Sequence, residues 1–273
     1  MIQTLTGITA FILYSVSGLL LAKRLFHDRA KPEKTGGLSK LQIIAIGLVA
    51  VAFHTVTLYH TLFIADGLNI GFFSVLSLIS WLIALLVLLA ALSNPIESLG
   101  VFLLPLASIA ISLEMIFPTQ HTLAGAQALE LKLHIMMSVL AYSLLSIAAV
   151  QSVLLAIQDK HLREKRPGGF IRTLPPMQTM ETLLFQLIGL GLTVLTLSLV
   201  SGVIYLEDMF AQHLVHKTIL SMTAWVVFAT LLWGRWKFGW RGRTAIRWTL
   251  TGFIVLLLAY MGSKWVTEIM LGR

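Results

Sequence analysis

No cysteine occurs among the 273 residues, which excludes disulfides, CxxC redox chemistry, zinc ribbons and thiolate ligation together. Charged residues make up only 12% of the chain against 57% hydrophobic ones, and the mean hydropathy is +0.88. A chain so poor in charge cannot cover one core with a water-facing shell, so the composition is that of an integral membrane protein. Acidic residues are scarcer than basic ones, 12 against 20. The resulting net charge of +8 needs no nucleic-acid partner, because membrane topology and anionic lipid head groups account for it. No charged residue precedes Lys23, so the first apolar segment lacks the basic region of a cleavable signal and is expected to stay as a helix. Also missing are an internal repeat and a matched pair of Gly- or Pro-broken helices, which argues against an inverted-repeat transporter.

What the chain does have is apolar runs long enough to cross ~30 Å of hydrocarbon as helices. They fall near residues 2–22, 40–62, 71–92, 99–117, 131–157, 184–206, 214–234 and 248–270, and predict an all-α polytopic bundle of about eight transmembrane helices, one membrane domain over 1–273. The fourth run is short and carries Pro105, a possible kink. All of the 20 lysines and arginines except Lys132, Lys217, Lys264 and Arg273 fall on one side, around the first connection, the connection near 158–183 and the last one. The positive-inside rule makes that side cytoplasmic and both termini extracytoplasmic. The connection near 158–183 combines a basic run with Pro167-Gly168-Gly169 and Pro175-Pro176, and reads as a topology-setting loop or a docking site for a partner. The last connection interleaves Trp236, Trp240 and Trp248 with basic residues, the pattern of an interfacial anchor.

Of the 8 histidines, His54, His60, His121, His134 and His216 fall toward the outer side, whereas His27, His161 and His213 read as loop residues. Histidine is costly near hydrocarbon and is a good ligand for haem or metal, so its recurrence at one face marks a candidate site. His54 lies six residues below His60, about 9 Å along the helix and about 240° around it, so the two rings face different ways. His134 and His216 are expected in the first turns of the fifth and seventh helices. Glu114, Glu207 and Asp208 bring negative charge to the same level, and Lys132, Lys217 and Lys264 positive charge. Each histidine read singly is also consistent with an interfacial hydrogen-bonding residue, and each lysine with a snorkelling one. Below His134, Met137, Ser138 and Ala141 form a small-residue face, and Ser198 and Gly202 a small-xxx-small pair, suited to helix packing or to a flat ring.

The stretch LKLHIMMSVLAYSLL (131–145) resembles a helix start of the CcsA, CcmC and HemX group of cytochrome c assembly and haem-handling membrane proteins. HKTILSMTAWVVFATLLW (216–233) is similar to the segment beside that family's tryptophan-rich platform, with Lys217, Trp225 and Phe228 matching. AIRWTLTGFIVLLLAYMGSKW (245–265) resembles its last helix, with Tyr260 and Gly262 in place, and LPPMQTMETLLFQ (174–186) points to the YpjD-like inner-membrane subgroup.

The resemblance implies haem held at the extracytoplasmic side, with His134 as a ligand of the haem iron. The chain also departs from the family. The partner histidine near the end of the last helix has no counterpart, the chain after Trp265 reading VTEIMLGR. The family's membrane-embedded histidine falls on Trp233, and EDMFAQHLV (207–215) replaces the tryptophan-rich platform. A second axial ligand would come from His54 or His216, then His60, or from a methionine such as Met136. Lys132, Lys217 and Lys264 suit haem propionates. Thioether attachment is chemistry between haem vinyls and a partner's thiols, so the expected role is binding or delivery rather than catalysis. Expected partners are haem, membrane lipids and other cytochrome assembly components, in a bacterial inner membrane. Two other classes stay open: an ion or metal efflux transporter or its accessory subunit, using Glu114, Glu207, Asp208 and the histidines, and a cofactor-free membrane scaffold.

Overall fold

The computed structural model describes residues 2–28, 38–64, 67–118, 122–123, 129–165, 173–205 and 215–262. Eight helices are long and apolar enough to cross a membrane. They are α1 (Ile2–Lys23), α2 (Lys40–Leu62), α3 (Phe72–Ser93), α4 (Glu97–Ile116), α5 (Leu129–Arg163), α6 (Met177–Tyr205), α7 (Val215–Phe238) and α8 (Arg243–Leu257). A π-turn, Arg24–Asp28, extends α1, and another, Leu258–Gly262, extends α8. The chain divides into two compact units, one of Met1–Ala124 with His161–Pro175, the other of Gly125–Lys160 with Pro176–Arg273.

The first unit holds α1 to α4. A capping box starts α2: the Ser39 hydroxyl accepts from the Gln42 N–H at 3.3 Å while the Gln42 side chain accepts from the Ser39 N–H at 2.8 Å. The Lys40 ammonium, 3.0 Å from the Glu97 carboxylate, ties that end of α2 to the start of α4. Pro105 neither ends nor interrupts α4, which runs through it to Ile116. Its ring packs on α1 at Gly18, where an added Cβ would sit 3.1 Å from the proline Cδ, tighter than side chains usually pack. Three short strands, β1 (Phe63–Ile64), β2 (Gly67–Asn69) and β3 (Thr122–Leu123), pair antiparallel in that order, Phe63 opposite Leu68 and Asn69 opposite Thr122. No alternating apolar pattern marks strands this short in the sequence. Buried Asn69 fastens them down, donating to the Thr61 carbonyl and the Ser74 hydroxyl, each at 3.3 Å, and accepting from the Gly71 N–H at 3.0 Å.

The second unit holds most of α5 with α6 to α8. Here the helix ends differ from the expected ones. The fifth run was expected to stop near residue 157, yet α5 continues to Arg163 and carries His161 on its last turns rather than in a loop. Hydropathy marks where a helix leaves hydrocarbon, not where its backbone bonds stop, and no Gly or Pro intervenes before Pro167. Similarly α6 begins at Met177, directly after Pro175-Pro176, residues favoured at the start of a helix. The α7–α8 turn is built on two glycines at positive φ, Gly239 at +65° and Gly242 at +56°. The Gly242 N–H donates to the Glu181 carboxylate at 2.7 Å, placing negative charge at the start of α8. Nearby, Trp240 and Trp248 approach with ring centroids 5.5 Å apart and Trp236 is 82% exposed, the arrangement of an interfacial anchor.

Candidate functional site

His134 lies in the second turn of α5, since the helix starts at Leu129 rather than at residue 131. Its Nδ1 is 3.0 Å from the Ser201 hydroxyl of α6, and that hydroxyl donates to the Ser198 carbonyl at 2.8 Å. A serine has one proton to give. With it committed to Ser198, the Ser201 oxygen can only accept, so the network assigns the proton of His134 to Nδ1 and leaves the lone pair on Nε2. One turn on, Ser138 donates to the His134 carbonyl at 2.8 Å and meets the Ser198 hydroxyl at 2.7 Å. The small residues that allow α5 and α6 to approach thus also orient the imidazole.

The same unit carries the other candidates that resemblance singled out. His216 is exposed in the first turn of α7. Lys217, next in sequence, lies over the Tyr260 ring, 6.0 Å from its centroid. Tyr260 packs edge-on against Tyr142, whose hydroxyl donates to the Leu256 carbonyl at 2.5 Å, just before the π-turn that ends α8. Trp225 is anchored through its indole N–H to the Thr196 hydroxyl at 2.7 Å. Lys132 and Met136 are exposed, Met136 at 67%. Glu207, Asp208, Lys264, His121 and His213 lie outside the described residues, as does the side chain of His27.

In the first unit the six-residue spacing separates the two histidines of α2 as their rotation requires. His60 is exposed beside Tyr59, ring centroids 5.7 Å apart. His54 is 0% exposed, and both its nitrogens are engaged: Nδ1 lies 3.3 Å from the Tyr14 hydroxyl of α1 and Nε2 2.9 Å from the Ser77 hydroxyl of α3. Ligation at His54 would require breaking one of these bonds. Glu114 of α4 is 3% exposed. Tyr14, Ser77 and Ser201 were not singled out from the sequence, because isolated hydroxyl residues on apolar helices carry no motif. Their signal was helical spacing alone: Ser198 and Ser201 share a face three residues apart. Among the described residues no group of three or more histidine, aspartate or glutamate side chains converges as a metal cage would require.

Comparison with known proteins adds to this geometry. The Cytochrome C assembly protein family matches residues 43–271. The chain belongs to that family. It is 30% identical to the inner membrane protein YpjD of Escherichia coli K12 over 270 residues, covering 96% of this chain and 98% of that one. It is 24% identical over 234 residues to the protein HemX of Brevibacillus brevis, covering 82% and 85% of the two chains. It is 28% identical over 142 residues to the cytochrome c biogenesis protein CcsA of Chlamydomonas reinhardtii, covering 50% and 38%. No solved structure matches. This member of the cytochrome c assembly family is a multi-pass inner-membrane protein, by its eight membrane-length helices and its full-length relation to YpjD.

Proposed function

We propose that this family member binds and handles haem at the extracytoplasmic face, with the second unit holding the iron through Nε2 of His134. The observation that carries the reading is the 3.0 Å contact of His134 Nδ1 with the Ser201 hydroxyl, which also reaches the Ser198 carbonyl; the tautomer inferred from it orients the imidazole and leaves the opposite nitrogen free to coordinate. The donor set fits haem in kind, an imidazole beside a small-residue face with Lys132 on the same helix, and family membership supports a haem-handling role. Bound haem would supply an iron centre and two propionates. His216, in the same unit and exposed, is the second ligand we assign; His54 is set aside because both its nitrogens are in use. Lys217 and Lys132 would meet propionates, and Trp225, held by Thr196, would pack as a fixed ring. The basic connections support an orientation with both termini outside, in which His134 and His216 would lie at the outer face.

The test is titration of the purified protein with haemin, followed by visible spectroscopy. A Soret band should appear in the wild type, fall strongly in His134→Ala, and in His216→Ala change toward a five-coordinate spectrum. Protein that stays colourless with haemin, or binds it equally well without His134, removes the reading. The cation-efflux alternative gains no support from the described residues, where no metal-holding cluster forms.

A further inference from the structure

Glu114 is the described side chain that the haem reading leaves without a task. It is 3% exposed within the first unit, and neither carboxyl oxygen has a hydrogen-bond partner. An ionised carboxylate so placed among membrane helices would be costly, and no charged side chain among the described residues bears on it. The polar side chains that do are Ser77 and Thr61.

Those two hydroxyls differ in what they can offer. Thr61 donates to the Thr57 carbonyl at 2.9 Å and accepts from the Gln3 amide at 3.0 Å, so its proton is committed and it has only a lone pair left for Glu114. Ser77 meets His54 Nε2 at 2.9 Å, and His54 Nδ1 meets Tyr14 at 3.3 Å. One arrangement satisfies all of them. Tyr14 donates to Nδ1 and Nε2–H donates to Ser77; Ser77, turned toward the carboxyl, would donate to one oxygen, and the other would carry a hydroxyl that donates to Thr61. Helices α1, α3 and α4 contribute one group each to this chain and α2 contributes two, His54 and Thr61. It closes only with a proton on Glu114, because a carboxylate would find a lone pair at Thr61 where it needs a donor.

We propose that Glu114 is a proton-binding site: a neutral acid at one end of the Tyr14–His54–Ser77 chain, exchanging its proton with water where Gln3 and Thr61 meet at the exposed end of the bundle. Gln3 is exposed in the first turn of α1 and Thr61 stands in the last turn of α2, so the acid lies one side chain from the bundle end. The other titratable groups of the unit do not serve it. His60 and Tyr59 are exposed on α2; Lys23, Arg24, Lys40 and Glu97 stand at the opposite helix ends, Lys40 paired with Glu97. The backbone of His27 and Asp28 continues α1 at that opposite end. On the end of α5 that clusters with this unit, His161, Arg163, Glu164 and Lys165 do not bear on the carboxyl either. Release of the proton goes to water and leaves a carboxylate with one donor, Ser77. Deprotonation therefore favours opening the Gln3–Thr61 contact to admit water.

Infrared difference spectroscopy on the protein in lipid nanodiscs tests this. Wild type minus Glu114→Gln should show one carbonyl band of a protonated carboxylic acid at neutral pH, shifting in deuterium oxide. Glu114→Asp should move that band rather than abolish it. Ser77→Ala and Thr61→Val should each shift its frequency, and Thr61→Val should slow its deuterium exchange. Absence of such a band, with a carboxylate pair in its place, overturns the proposal. So does a carboxylate signal that responds to sodium and not to pH, since the site would then hold a cation. Neither result depends on haemin binding.

Discussion

Ser201 decides which nitrogen of His134 carries a proton, and the hydroxyl can do so because Ser198, three residues earlier, occupies its only donor. Ser201→Ala removes that constraint without touching the ligand, leaving the ring free to rotate and to change tautomer. Haemin affinity is then expected to fall by about 10-fold or more, the usual cost of losing an outer-shell partner, with a Soret band still present at saturation. A titration curve identical to wild type would show that the orientation of the ring does not depend on Ser201. His54 presents the opposite case. Its Nε2 meets the Ser77 hydroxyl at 2.9 Å, and in the arrangement proposed above its tautomer follows from the proton on Glu114 instead.

Among the helices of the first unit, α1 and α4 approach closely at Gly18 and Pro105. Gly18→Leu would drive a side chain into the proline ring and into Leu104, and overpacking of this kind costs about 1–3 kcal/mol. Thermal unfolding in detergent should show the loss, while Gly189→Leu, where an added Cβ meets nothing within 4 Å, should show little. The eight helices were legible in the sequence because hydrocarbon demands long apolar runs, whereas the packing of Pro105 on Gly18 was not, because the two residues lie on different helices and no local window contains both. The ends of α5 and α6 were misplaced for another reason: Gln158 to Arg163 are polar, yet nothing in them breaks a helix. At the site, His134 was legible from its motif, whereas Tyr14, Ser77 and Ser201 acquire meaning only from contacts 23 to 67 residues away in the chain.

At the scale of the whole chain, sidedness is the property on which the functional reading depends. The absence of cysteine makes it easy to test, because one introduced thiol is the only thiol present. Leu129→Cys, exposed at the start of α5, should react with a membrane-impermeant maleimide added to intact spheroplasts, and Trp236→Cys near the end of α7 only after permeabilisation. The reverse pattern would place the basic connections outside and His134 at the cytoplasmic face. The tryptophan and arginine side chains around the α7–α8 turn support the first outcome, since aromatic rings and cations together suit the head-group region of the inner leaflet.

The serine that orients His134 has a stoichiometric consequence. Metal ligands commonly give up a proton when they coordinate, which makes their occupancy follow acidity. An imidazole already holding its proton on the nitrogen that faces away has none to surrender, so iron could be taken up at His134, or handed on from it, with no proton exchanged at that residue.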